Sequence, residues 1–313
     1  MAFQRTIKNQ ISLSGVGLHS GKPAKVTLKP ASAHQGILFL RTDLPSSKPI
    51  EAHFQNVVNT QLATTIGKEA VTISTVEHLM SALYGFGIDN LLVEVDGPEV
   101  PVLDGSSAPF CRAILDVGVE DQVAKKTFLR LKKRVEVRLS EKWAVAEPSN
   151  QFELHASIDW DHPAIGFQEF KYIDGKTDFS EIASARTFGF LKDVEALQKM
   201  GLALGGSFDN AVVLNEASVL NNEGLRYTDE FVRHKVLDAL GDFKLSGVSV
   251  CASFKLHRSG HDLHRALLVE IFKNPENYEV VSEIVSEAAS EASLDKEKTK
   301  KRSQVRALTR AAV

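Results

Sequence analysis

Cysteine is nearly absent from this chain, with only Cys111 and Cys251 among 313 residues. Neither belongs to a C-x-x-C spacing and both sit in apolar stretches. That argues against a thiolate metal site or a disulfide framework and for two buried, reduced thiols. Charge of one sign is missing as well: 37 Lys plus Arg stand against 40 Asp plus Glu, a net charge of −3. No global field is available to hold nucleic acid or an anionic membrane. Long apolar runs are lacking too. The first residues have no apolar segment of a secretory signal, and no window approaches the roughly 20 apolar residues of a spanning helix. These absences lead to the expectation of a cytoplasmic protein with no nucleic-acid partner and no membrane-spanning segment, taken as a monomer. The balance that remains, 43% hydrophobic and 25% charged, is that of a globular enzyme-sized chain.

What is present is patterned. Strands are expected at 25–29 and 36–40, a short helix at 74–83, a strand at 91–95 and a helix at 108–117 closed by Gly118. Residues 123–127 read as a linker. A second set follows, with strands at 128–139, 143–146 and 152–158, a helix at 193–200 capped by Gly201, and a strand at 211–214. A long helix enters through Thr228 or Asp229 and runs to about Leu245, and strands at 248–256 and 267–272 complete the set. Strands that look antiparallel, mixed with a few helices in each half, imply an α+β fold of two similar domains, 1–122 and 128–273. The tail, 274–313, has apolar residues at helical spacing over 279–293 and then seven basic residues over 296–310. It reads as a helical or flexible extension.

One segment of the long helix carries the strongest chemical signal. His234, Asp238 and Asp242 stand at i, i+4 and i+8, within a roughly 80° arc of one face. Val232, Val236, Ala239, Leu240 and Phe243 gather on the other. A solvated polar face would explain the spacing, but such faces are built from Lys, Glu, Gln and Arg rather than His and Asp. An imidazole and a carboxylate one turn apart can bind one divalent cation. Ser74 and Glu77 match a capping box, which alone would account for both. His78 follows at once, however, and a carboxylate beside a metal-binding imidazole can serve as a general base. His78, His234 and Asp238 make three protein ligands, the set of a catalytic zinc site, and equally a facial triad for ferrous iron. His261 follows Gly260 in a loop, and Asp242 could orient it as an acid. Thr187, between Arg186 and Phe188, could offer its hydroxyl to an oxyanion. The glycine-rich segments 15–21 and 204–209 are weak phosphate cradles, since each leads into a strand.

Eight motifs in order carry a resemblance: GVGLHSG at 15–21, ISTVEHL at 73–79, GIDN at 87–90, PVLDGSSAPF at 101–110, ARTFGF at 185–190, LGGSFD at 204–209, FVRHKVLDALGD at 231–242 and SGH at 259–261. In these the chain is similar to the UDP-3-O-acyl-N-acetylglucosamine deacetylases, zinc amidases of lipid A synthesis. The resemblance implies an active site in a cleft between the two domains, and an insert in the second that forms an apolar passage for the acyl chain. It implies zinc on His78, His234 and Asp238, with Fe2+ able to take the same site. It implies Glu77 as base, His261 as acid, Asp242 as its orienting partner and Thr187 on the oxyanion. The substrate, an acylated UDP-N-acetylglucosamine, would meet Lys235, Phe188, Phe190 and Trp160, with Lys142 and Arg258 as diphosphate partners. Two rivals stay open at this level: a sugar-nucleotide-binding protein without catalysis, and a non-haem iron enzyme.

Overall fold

A computed structural model describes residues 2–282. Six helices run in chain order: α1 Glu77–Gly85, α2 Ala108–Val117, α3 Ser180–Ala183, α4 Leu191–Lys199, α5 Glu230–Lys244 and α6 His261–Lys273. The sheets divide with the sequence. The first half holds a five-stranded sheet in the order Ile11–Val16, Pro23–Pro30, Leu91–Asp96, Ile37–Arg41, Ile50–Glu51. Beside it stand a three-stranded sheet over Val57–Asn59, Thr65–Lys68 and Val71–Ile73, and the pair Phe3–Ile7 with Val119–Lys125. The second half centres on Ser249–His257, which pairs parallel with Phe128–Leu131 and Glu153–Trp160 and antiparallel with Lys142–Pro148. Among the described residues no sheet draws strands from both halves. The strands are mostly antiparallel and the helices lie against them, an α+β fold without a barrel.

Period-two burial shows why these segments are strands: Ala24, Val26 and Leu28 point inward from Pro23–Pro30 while Pro23, Lys25 and Thr27 face outward or half outward. α5 departs from that economy. Thirteen of its fifteen residues are buried, so both its apolar and its polar faces are inside. It lies against α1 so closely that a Cβ on Gly241 would stand 2.1 Å from the Glu77 carbonyl oxygen. Two helices from opposite halves therefore cross with backbone against backbone, and a single hydrophobic core runs through both halves.

Several sequence expectations are corrected. The run 267–272 is not a strand but the second half of α6, whose Leu263, Leu267, Leu268 and Ile271 are buried at helical spacing while Val269 is exposed. A mostly apolar six-residue stretch, interrupted only by Glu270, fits either period, and the start of the helix at His261 decides it. Residues 123–125 are not linker; they finish the strand Val119–Lys125, which pairs with Phe3–Ile7. The strand expected over 128–139 is broken at 132–134, where the Lys132 and Lys133 amides turn to the Asn277 carbonyl. Val280 and Val281 are not helical: Tyr278–Val281 adds an antiparallel edge strand to Phe128–Leu131. The rest of the expected tail, from 283, lies outside the described residues.

Candidate metal centre and active site

α1 starts two residues later than its sequence signal, and the difference matters. Ser74 caps nothing; its hydroxyl meets the Thr65 hydroxyl at 2.9 Å. Glu77 is therefore released from a capping box and stands at the first position of α1, where its Oε2 accepts the Thr64 amide at 3.0 Å. The next residue, His78, points at α5. Asp238 Oδ1 lies 3.5 Å from His78 Nε2 and 3.3 Å from His234 Nε2. That oxygen is buried and makes no hydrogen bond. Ligands about 2.0–2.2 Å from a tetrahedral ion are themselves about 3.4 Å apart, so the carboxylate oxygen stands from each imidazole as a zinc-type ion needs, and all three ligand atoms lie within 4.8 Å of one another. The His234 Nδ1 is occupied by the Ala185 carbonyl at 3.0 Å, which leaves Nε2 as the free lone pair. Burial drives the proton affinity of His234 down to about 3, against the pull of Asp238, so its ring is neutral and ready to ligate. Asp238 is buried as well, but His234 and Lys235 outweigh that and hold it well below the usual carboxylate range.

The ligands and their neighbours are 1–8% exposed, from His234 at 1% through Asp238, Glu77, Asp242 and His78 to His261 at 8%. The reading of this helix face as solvated is thereby excluded. Glu77, enclosed with Asp238 and Asp242, has its proton affinity raised by burial, an effect that His261 and His78 only partly oppose. Beyond the ligand set, His261 Nδ1 donates to Asp242 Oδ2 at 2.7 Å. Burial would lower the His261 proton affinity, but the Asp242 charge and hydrogen bond overturn that and raise it to about 9. Asp242 is pulled below its ordinary value by the same pairing, although burial pushes the other way.

The remaining expected residues divide. Thr187 is fixed by its amide to the Gly105 carbonyl at 2.8 Å and by its carbonyl to the Val212 amide at 2.8 Å. Gly105 is required there: its φ is +81°, and a Cβ would fall 2.0 Å from the Asn210 carbonyl oxygen. The segment carrying Ala185 and Thr187 is tied to α5 by Arg186, buried, whose Nε donates to Glu230 Oε1 at 2.9 Å. Lys235 Nζ donates to Asp238 Oδ2 at 2.9 Å and stands 5.5 Å from the Phe188 ring centre. Phe188 is in turn 6.3 Å from the His234 ring and 5.5 Å from Trp160. Phe190 turns to His162 at 5.6 Å. Lys142 and Arg258 are not drawn into this cluster. Lys142 is exposed at the start of its strand, and Arg258 reaches the exposed Glu141 at 3.5 Å.

Sequence reading missed three contributors. Thr64 gives its amide to Glu77 and its hydroxyl to Asp242 Oδ1 at 2.6 Å, a position no motif marks. His264 places Nδ1 2.7 Å from Asp242 Oδ2; the His-x-x-His spacing on a helix would have been its signal. Glu99 accepts the amides of His19 and Ser20, both at 2.9 Å, and the Thr75 hydroxyl at 2.9 Å. The glycine-rich segment 15–21 thus spends two of its amides on a protein carboxylate and those of Gly17 and Gly21 on backbone carbonyls, a firmer reason than strand context for its not holding phosphate.

Comparison with known proteins agrees with this geometry. The family model described as UDP-3-O-acyl N-acetylglycosamine deacetylase matches residues 4–273. A protein of Pasteurella multocida named UDP-3-O-acyl-N-acetylglucosamine deacetylase is 48% identical, over 90% of this chain and 94% of the relative. A protein of the same name from Myxococcus xanthus is 50% identical over 89% of each. One from Haemophilus influenzae is 47% identical over 90% of this chain and 94% of its own length. A match along nearly all the described residues, at 47–50% identity to these relatives, establishes that the chain belongs to the UDP-3-O-acyl N-acetylglycosamine deacetylase family.

Proposed function

We propose that the chain is a zinc-dependent amidase that removes the N-acetyl group of an acylated UDP-N-acetylglucosamine, giving acetate and the free 2-amino sugar nucleotide, in the cytoplasmic part of lipid A synthesis. One observation carries the reading: Asp238 Oδ1, buried and without a hydrogen bond, sits between two imidazole nitrogens at metal-ligand spacing. His78, His234 and Asp238 would hold the ion, with ferrous iron an alternative that this donor set also accepts. When bound, the metal supplies Lewis acidity toward a water and toward the amide carbonyl.

The chain's own groups do the rest. Glu77, with its raised proton affinity, takes a proton from the attacking water. Thr187 offers its hydroxyl to the carbonyl oxygen as negative charge builds there. His261, protonated near neutral pH, gives a proton to the amide nitrogen as the C–N bond breaks and its electron pair stays on nitrogen. Asp242 keeps the imidazole turned for that transfer. Lys235 and Phe188 meet the sugar nucleotide, and Trp160 and Phe190 extend that aromatic wall; Lys142 and Arg258 are the outlying diphosphate contacts. The test is acetate release from UDP-3-O-acyl-N-acetylglucosamine by the purified chain, before and after metal removal by a strong chelator. The reading requires release that stops with the metal and returns with zinc. Release unchanged after the metal has been stripped would refute it.

A further inference from the structure

The carboxylate that orients His261 carries a second imidazole. His264, one turn further along α6 and fully buried, places Nδ1 2.7 Å from Asp242 Oδ2, the same oxygen that His261 Nδ1 meets at 2.7 Å. Asp242 is ionised, so both rings donate to it. The Thr64 hydroxyl donates to the other oxygen at 2.6 Å. The far side of His264 is used too: its Nε2 lies 2.9 Å from the hydroxyl of Ser259, two residues before His261. A buried imidazole against Phe243, 5.4 Å away between ring centres, would be costly in a site that only needed filling. Here both nitrogens are satisfied, and both partners belong to the machinery that sets His261.

We propose that His264 is a positioning residue for deacetylation: it divides the charge of Asp242 between two imidazoles and ties that carboxylate, through Ser259, to the entry of α6. This rests on the reading of His261 as the acid. The charged and titratable groups facing His261 are Asp242 and Asp238 from α5, Glu77 from α1, His19 from the 17–21 segment, and His264 on its own helix. Arg265 borders the same small space. Of the neighbours on Asp242, only His264 competes with His261 for the same oxygen. With its N–H removed, the full charge of Oδ2 falls on His261, which then releases its proton less readily to the amine.

Asparagine and glutamine separate the two ends of the ring. His264→Asn keeps a donor where Nδ1 stood and loses the reach to Ser259; His264→Gln does the reverse. His264→Gln is expected to lower kcat about tenfold with KM unchanged, the scale of one charge-assisted hydrogen bond, and to move the alkaline limb of the pH profile upward. His264→Asn is expected to stay within about threefold of the parent. Equal losses in both variants, with no movement of the limb, would mean that His264 merely fills space. Proton NMR of the unmutated protein gives an independent reading that needs no foldable variant. Two strongly downfield imidazole N–H signals should be present; a single such signal would overturn the proposal. A His261→Gln protein that retained its alkaline limb would instead sink the acid assignment on which the proposal rests.

Discussion

Replacing Gly241 with alanine tests whether the two halves are registered through the crossing of α1 and α5. The added methyl would stand 2.1 Å from the Glu77 carbonyl oxygen, 2.8 Å from its carbonyl carbon and 3.0 Å from its Cα. All three are backbone atoms, so no side chain can rotate away, and the helices must part by about 1 Å. Alanine gains about 1 kcal/mol over glycine in a helix interior. Overpacking costs about 1–3 kcal/mol, and a backbone obstacle puts this site at the upper end. The clash wins by about 2 kcal/mol, which in a chain of this size lowers Tm by roughly 3 °C. Function should suffer more than stability. Glu77 and His78 ride on α1 while His234 and Asp238 ride on α5, and a displacement of about 1 Å at such a site costs on the order of a hundredfold in kcat/KM. Thermal unfolding followed by circular dichroism, with acetate release under subsaturating substrate, measures both. A Gly241→Ala protein with parental Tm and parental turnover would refute the claim that this contact sets the site.

Other outcomes follow from the same geometry. In the proposed reaction His261 gives its proton to the leaving amine, and its proton affinity is raised to about 9, so kcat/KM should fall as pH rises through about 9. His261→Ala should lose on the order of a hundredfold or more and lose that limb, as a pH–rate series would record. Stripping the metal should also lower Tm, because a ligand bound only by the folded state stabilises it; differential scanning calorimetry with and without zinc reads the shift. Lys244 is 9% exposed, with Nζ 4.0 Å from Asp89 Oδ1, and burial lowers its proton affinity from 10.5 to about 8. The unfolded chain therefore binds more protons between those values, and stability should rise with pH across that window by about 3 kcal/mol. Lys244→Met should flatten the rise in urea unfolding curves taken from pH 7 to 10.5.

The chemistry was more legible in the sequence than the boundaries were. The i, i+4, i+8 stripe of His234, Asp238 and Asp242 identified one helix face because no solvated helix favours that composition. His78 could be joined to it only through donor chemistry and the count of three ligands, since its 156-residue separation from His234 carries no local signal. Helix α2 could be read because Gly118 ends it with a φ of +78°. The second half of α6 could not, because a six-residue stretch that is apolar except for Glu270 suits either period until its first turn is known. Glu77 shows the opposite failure: S-x-x-E matches a cap, yet the turn at Thr75 delays α1 and turns the carboxylate to the Thr64 amide. Thr64 and Glu99 stayed hidden for one reason. Each acts by a hydrogen bond to a residue distant in sequence, Asp242 and His19 among them, and pattern along a chain does not report such bonds.

Glu99, buried and outside the catalytic cluster, has a wider effect than its distance from the chemistry suggests. Thr75 has a φ of +58°, a left-handed conformation that a β-branched residue adopts at a cost of about 1–3 kcal/mol. Its hydroxyl is held by the same carboxylate that anchors the His19 turn. A neutral or shorter side chain at 99 would release that stored strain two residues before Glu77, and would free the facing turn in the same event. Damage there would look like an intact fold with poor turnover and would escape any screen for solubility.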